Sequence, residues 1–449
     1  MFLPANLTRN QSKAISIYAE GIILTALSMR RITQLPNKIR IVTQEFKDRE
    51  SISIGVWLAA GGRYETSMNK GVAHFLEHMA FKGSAKYSCN AIKQMVEGIG
   101  GNLNAFTGEE ETCYYAKVPA NHFKNTFDVL ADISFFPKVT QKDLEKERTV
   151  ILEEIKMYHD LPQYYVGELL EALLWPDHPL GQSLAGTPQS VGEISTKNIK
   201  DFKNIHYVPA NTVISACGSI KHEELVHLVH QKLGKLTGLS GPSYIPARRN
   251  QDKPGIHLHY KQTEQMHLAL GYLGYETNHK DYYVLALLSI ILGGNMSSRL
   301  FNELREKRGL TYSISSGVKS FNDTGVFMIR AGVDNAKIVD ALSLTLKVLA
   351  KIVSSGVSED EFKRAQEYYM GQSVLGLEDT MDQMLWMGGG VISNDNVKSL
   401  ADIIKRIKAI TRTDIKRVAA EILNPRRLNL AIIGPMSENQ QKQLQSLVL

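Results

Sequence analysis

The run His74-Phe75-Leu76-Glu77-His78 holds the densest chemistry in the sequence. On a helix, His74 and His78 stand at i and i+4, so both imidazoles project from one face. That spacing suits two ligands of a tetrahedral zinc ion. Glu77 lies one turn from His74, within reach of a water held at such a metal. Zinc lowers the pKa of that water to about 7, and a carboxylate can then take its proton as general base. His-x-x-Glu-His is the inverted zinc-protease motif.

A catalytic zinc takes three protein ligands and keeps one position open. The run Glu145-Lys146-Glu147-Arg148-Thr149-Val150-Ile151-Leu152-Glu153-Glu154-Ile155 predicts a helix that could supply the third. Glu147 and Glu154 are seven apart and fall on faces related to those of Ile151 and Ile155. Residue spacing leaves Glu147, Glu153 and Glu154 all open as the ligand.

The elements that must position these groups repeat along the chain. Ile194-Ser195-Thr196, Pro209 and Gly218 return as Ile410-Thr411-Arg412, Pro425 and Gly434, each 216 residues on. Val139-Thr140 through Leu144 returns as Val357-Ser358 through Phe362, 218 residues on. Three segments in order at nearly one offset predict a duplicated unit. Each half opens with strands: in one, Ile39, Ile41 and Thr43 and then Ile52, Ile54, Val56 and Leu58 alternate with polar neighbours, and in the other Ile256 to Tyr260 and His267 to Gly271 are similar. Helical runs follow, as at Asn90 to Glu97 and Val284 to Leu292, then strands at Thr112 to Val118 and Val326 to Gly332. Strands mixed with long helices, without a regular βαβ rhythm, predict an α+β class with two homologous α/β-sandwich halves. The boundaries expected are an N-terminal extension over 1–31, a metal-binding half over 32–236, a Gly- and Pro-rich linker over 237–255 and a second half over 256–449.

Composition sets the outer limits. The chain has 449 residues, 43% hydrophobic and 22% charged, which excludes disorder and a disulfide scaffold. Its apolar runs fall well short of the roughly 18 residues of a membrane span. The net charge of +6 is scattered, without a basic stripe interleaved with aromatics, so nucleic acid is not an expected partner. Three cysteines cannot all pair within one chain and point to a reducing compartment, the cytoplasm. The apolar patch Ile22 to Met29 lacks a clean cleavage site for export.

With these motifs in order, the sequence resembles the pitrilysin-type zinc metallopeptidases, in particular the half-length members akin to mitochondrial processing peptidase. The resemblance runs from about Ile32 to the C-terminus. It implies His74, His78 and Glu154 as zinc ligands, Glu77 as the base, and Glu147 as the carboxylate that orients a ligand histidine. Gly100-Gly101-Asn102-Leu103-Asn104-Ala105-Phe106-Thr107 resembles the family's edge strand, which pairs with an extended peptide, so Asn102, Asn104 and Ala105 are expected to touch substrate. Phe81 matches an aromatic residue of the pocket just past the scissile bond. Arg305 and Tyr312, seven apart, match a pair that holds substrate and stabilises an oxyanion.

Carrying the zinc motif into the second half lands on Ser289, Leu292 and Gly293, and carrying Glu154 lands on Gln372. One zinc per chain is therefore expected. Family members enclose a chamber of four such units, so a chain with two implies half a clamshell and a homodimer that cleaves peptides or unfolded segments. Two other readings are a non-catalytic scaffold and a catalytic subunit that needs a separate zinc-less partner chain.

Overall fold

The computed structural model describes residues 30–238, 243–248 and 250–449. One sheet holds β1 (Arg30–Gln34), β2 (Arg40–Glu45), β3 (Ser51–Leu58), β4 (Asn102–Thr107), β5 (Thr112–Pro119) and β6 (Thr212–Gly218), in the order β1-β2-β6-β3-β5-β4. The other holds β7 (Gly255–Tyr260), β8 (Gln265–Gly274), β9 (Thr311–Ser320), β10 (Gly325–Asp334) and β11 (Asn429–Gly434), in the order β7-β11-β8-β10-β9. Without β1 the two orders coincide. In each sheet one pair is parallel, β2 with β6 and β7 with β11, and the other pairs are antiparallel. Register repeats as well: Arg40 faces Val213, and Gly255 faces Asn429. The fold is α+β, built from two homologous halves.

The first half carries α1 (Val72–Ala80), α2 (Cys89–Val96), α3 (Phe123–Phe135), α4 (Gln141–Asp160), α5 (Pro162–Leu174), α6 (Pro188–Glu193), α7 (Thr196–His206) and α8 (His222–Leu233). The second carries α9 (Tyr282–Ser289), α10 (Ile338–Ser355), α11 (Glu359–Leu375), α12 (Thr380–Asn394), α13 (Leu400–Ala409), α14 (Arg412–Ile422) and α15 (Glu438–Val448). Helix starts repeat with their caps. Thr140 caps α4 and Ser358 caps α11. Ser195 with Asn198 and Thr411 with Asp414 form capping boxes at α7 and α14. In each box the hydroxyl satisfies an otherwise orphaned N–H of the first turn.

The halves exchange one helix each. α5 leaves the first half and lies over β8, β11 and β7. Its Val166, Leu170 and Leu174 pack there with Ala269, Ala431 and Ile433. α12 leaves the second half and lies over β6, β3 and β2, where Met384, Met387 and Val391 meet Trp57, Val42 and Val213. Each sheet thus keeps one face for its own helices and gives the other to its twin. The Arg63 side chain, fully buried, joins the seam. It pairs with Glu110 and Asp323, and its guanidinium stacks 3.8 Å from the centre of the Tyr244 ring.

Three sequence expectations change. Arg30 and Arg31 are not part of an extension but of β1, where they pair with Gln44 and Thr43, because backbone pairing to β2 continues that far. Residues 1–29, with the apolar patch, lie outside the described residues, as do 239–242 and 249 of the expected linker. The helix expected through Leu292 is α-helical only to Ser289; wider winding runs from Ile290 to Gly294, where Gly293 is non-helical at φ −158°. Finally, β3 was expected to alternate apolar and polar faces, yet Ser53 and Trp57 are also buried, because α12 covers that side. Among the described residues no helix is long and apolar enough to cross a membrane.

The exchange yields a contrast between neighbouring positions. A Cβ at Gly388 would lie 2.0 Å from Nε1 of Trp57, whereas one at Gly389 would meet only Trp57 Cη2 at 3.9 Å. Gly388→Ala is expected to destabilise by about 1–3 kcal/mol through overpacking. Gly389→Ala is expected to be neutral or stabilising, since Ala gains up to roughly 1 kcal/mol over Gly in a helix. Thermal melts of the two variants check this, and equal melting temperatures would contradict the packing described.

Candidate metal centre

α1 starts where its backbone is capped from below. Gly71 adopts φ +92°, a left-handed conformation open to glycine, and turns the chain into Val72. The Glu65 carboxylate accepts from the N–H groups of Gly71 and Ala73 at 3.0 and 2.8 Å, with Lys70 Nζ 3.2 Å away. Val72, Ala73, Phe75, Leu76 and Met79 are buried in the core of the first half. That fixes the rotation of α1 and turns His74 and His78 toward α4, with Glu77 beside Thr107 of β4. α4 contributes Leu144, Ile151 and Ile155 to the same core.

Across this contact the third member of the cluster, a carboxylate, arrives. His74, His78 and Glu154 each offer one donor atom, and the three lie within 4.8 Å of one another. Glu154 Oε2 is 3.8 Å from His74 Nε2 and 3.5 Å from His78 Nε2. Tetrahedral zinc with bonds of about 2.0–2.2 Å needs ligand atoms about 3.3–3.6 Å apart. Two imidazoles and one carboxylate are donors that zinc takes, and the separations of Glu154 from the two rings lie at or just beyond that range. Among the described residues this is the one cluster of its kind, and it lies in the first half.

The surroundings divide the roles of the side chains. Glu147, 5% exposed, sits in the apolar stripe of α4, and its Oε2 is 3.2 Å from His78 Nδ1. This contact leaves His78 Nε2 free for a metal. The other Glu147 oxygen meets Lys82 Nζ at 2.6 Å. Glu153, by contrast, points outward and pairs with Lys156 at 2.6 Å. Burial, then the neighbouring His78, push the His74 pKa down to about 4 against the pull of Glu154, so the ring is neutral near pH 7. Burial also works to lower His78, but hydrogen bonds to Glu154 and Glu147 outweigh it and raise the pKa. Burial raises the Glu77 carboxyl, opposed by a hydrogen bond from the Thr107 hydroxyl. The hydrogen bond from His78 holds the Glu154 carboxyl below its usual range.

Asn102, Asn104 and Ala105 lie on β4, the outermost strand of its sheet, which packs beside α1. Asn102 and Asn104 are exposed. The Ala105 N–H donates to Asn104 Oδ1 at 2.8 Å. Phe81 ends α1 half-buried against the core, its ring 6.4 Å from that of Tyr114. Arg305 and Tyr312 sit in the second half. The Arg305 guanidinium lies 4.7 Å from the Phe301 ring centre and 5.1 Å from that of Tyr312, itself 75% exposed. Among the described residues no hydrogen bond, ion pair or ring contact joins that pair to the metal cluster. Thr107, Lys82 and Tyr158, the last hydrogen-bonded to Glu154, are additions of the structure. Two of them carried a signal: Lys82 follows His78, and Tyr158 follows Glu154, by four residues.

Residues 40–188, which hold the whole cluster, match the model of Insulinase (Peptidase family M16), and residues 193–369 match that of the Peptidase M16 inactive domain. This chain belongs to peptidase family M16. An uncharacterized zinc protease of Streptomyces coelicolor is 35% identical to the M16 chain over 424 residues, 93% of this chain and 92% of that one. The uncharacterized zinc protease YmxG of Bacillus subtilis is 35% identical over 405 residues, 89% and 97% of the two chains. A solved protease from Helicobacter pylori shares the fold with a TM-score of 0.85 at 23% identity, over 90% of this chain and 99% of that one. An M16 inactive domain from Pseudomonas fluorescens does so with 0.84 at 21% identity, over 91% and 98%. The inactive-domain match begins ahead of β6, a strand of the first sheet, so the sequence families divide this M16 chain at a different place from its sheets.

If Glu154 is the third ligand, Glu154→Gln should lower zinc affinity by more than the roughly 10–100-fold that loss of an outer partner costs. Elemental analysis and chelator competition on the purified variant measure it. Unchanged affinity would remove Glu154 from the ligand set.

Proposed function

We propose that this M16 chain is a zinc-dependent endopeptidase acting on peptides or unfolded segments, with Glu77 as its general base. The reading rests on the convergence of His74, His78 and Glu154 beside Glu77, inside the segment that matches the M16 peptidase model. Zinc held there would polarise the scissile carbonyl and acidify the attacking water. Glu77 accepts the proton of that water and returns it to the leaving amine. Thr107 keeps the Glu77 carboxylate aimed. Glu147 holds His78 in one orientation. The free edge of β4 beside α1 offers backbone groups for an extended substrate, with Asn102, Asn104 and Ala105 along it and Phe81 next to the bond cleaved. The unpaired thiols of Cys89, Cys113 and Cys217 accord with work in a reducing compartment such as the cytoplasm.

Arg305 and Tyr312 enter through a partner. We place them as substrate-holding and oxyanion-stabilising groups supplied by the second subunit of a homodimer, whose two chains enclose a chamber. The exposure of Tyr312 and its separation from the cluster in its own chain favour this arrangement.

Glu77→Gln is expected to keep zinc and lose turnover of a quenched, unstructured peptide; loss of metal would reassign Glu77. Mixing Glu77→Gln with Tyr312→Phe, each inactive alone, is expected to restore activity to about one quarter of wild type, as about half the dimers are mixed and each keeps one intact site of two. No recovery after demonstrated subunit exchange would rule out shared sites.

A further inference from the structure

Lys82 stands two residues beyond the end of α1, and its backbone N–H donates to Met79 O at 3.0 Å, which keeps it on the helix that carries His78. Its ammonium meets Glu147 Oε1 at 2.6 Å, while Glu147 Oε2 meets His78 Nδ1 at 3.2 Å. Among the described residues these are the two partners of the Glu147 side chain. Each oxygen has one, so together they fix the plane of the carboxylate. The ion pair is the shorter contact and thus the firmer hold. Glu147 lies among Leu144, Ile151 and Ile155, the buried residues of its helix, where a lone carboxylate would be costly.

We infer that Lys82 is a positioning residue of the metal centre: by pinning Glu147, it fixes the ring and tautomer of His78. The inference rests on the zinc reading above. Without Lys82, nothing holds the second oxygen of the buried carboxylate, and a carboxylate that turns away withdraws the acceptor from His78 Nδ1. Nε2 then loses its fixed aim at the metal. Lys82 touches neither metal nor substrate in this account; it acts through Glu147. Its effect must therefore disappear when Glu147 can no longer respond to it.

Chelator competition gives the zinc dissociation constant of wild type, Lys82→Met, Lys82→Arg, Glu147→Gln and the double variant Glu147→Gln/Lys82→Met, with melting of the metal-free proteins followed in parallel. Lys82→Met is expected to weaken zinc binding by about tenfold, the scale of a lost outer partner, without a matching fall in metal-free stability. Lys82→Arg, which keeps the charge and the reach, is expected to restore affinity to within about threefold. In the Glu147→Gln background the Lys82 change is expected to add nothing. Wild-type affinity in Lys82→Met overturns the inference, and so does an equal loss in both backgrounds, since Lys82 would then act without Glu147. If Lys82→Met fails to fold, Lys82→Gln carries the same comparison. A wild-type chain that takes up no zinc overturns the peptidase reading and this inference together, whereas zinc uptake with indifferent Lys82 variants overturns this inference alone.

Discussion

Everything at the candidate site depends on the contact between α1 and α4. The apolar residues of α1 and of α4 share one core, so neither helix can rotate without exposing it. With both rotations fixed, groups 76 residues apart in sequence, His78 and Glu154, stand 3.5 Å apart. The site is a by-product of hydrophobic packing in the literal sense that no polar contact need assemble it. The polar contacts then refine what packing has placed. Glu65 caps the start of α1 and Glu147 sits beneath its end, so the helix is held by a carboxylate at each terminus.

The two imidazoles are chemically unlike, although one helix turn apart. His74 is driven toward its neutral form by burial, and its Nδ1 has no partner among the described residues. His78 is held between two carboxylates that favour its charged form. A metal cation suits both: it supplies the positive charge that the carboxylates seek and needs the lone pair that a neutral ring offers. The donor set is thus chemically suited to a cation between the rings and Glu154.

The sequence made the first two candidate ligands legible because i, i+4 spacing is local, and made the duplication legible because helix caps and prolines recur at one offset. The third candidate was another matter. Glu147, Glu153 and Glu154 are alike in residue type, and helix phase alone separates them. Glu147 is in phase with Leu144, Ile151 and Ile155 and is buried by them; Glu154 is near the edge of that stripe and faces α1; Glu153 is turned to solvent. The roles of Lys82 and Thr107 need side-chain positions that no spacing specifies. Least legible was the exchange of α5 and α12. An apolar stripe reports that a helix face will be buried, not whose sheet will bury it. The same ignorance made β3 read as one-sided.

That exchange limits how the molecule can move. Pulling the halves apart would strip α12 from the first sheet and α5 from the second, baring two apolar surfaces at once. The seam behaves as a rivet with two shanks driven from opposite sides. It also has the form left when two single-unit ancestors, each lending a helix to the other, were joined end to end in one gene. A single unit on its own would have a sheet without a cover and a helix without a seat. Whatever breathing admits a substrate, the chain has given up the freedom to open down its own middle.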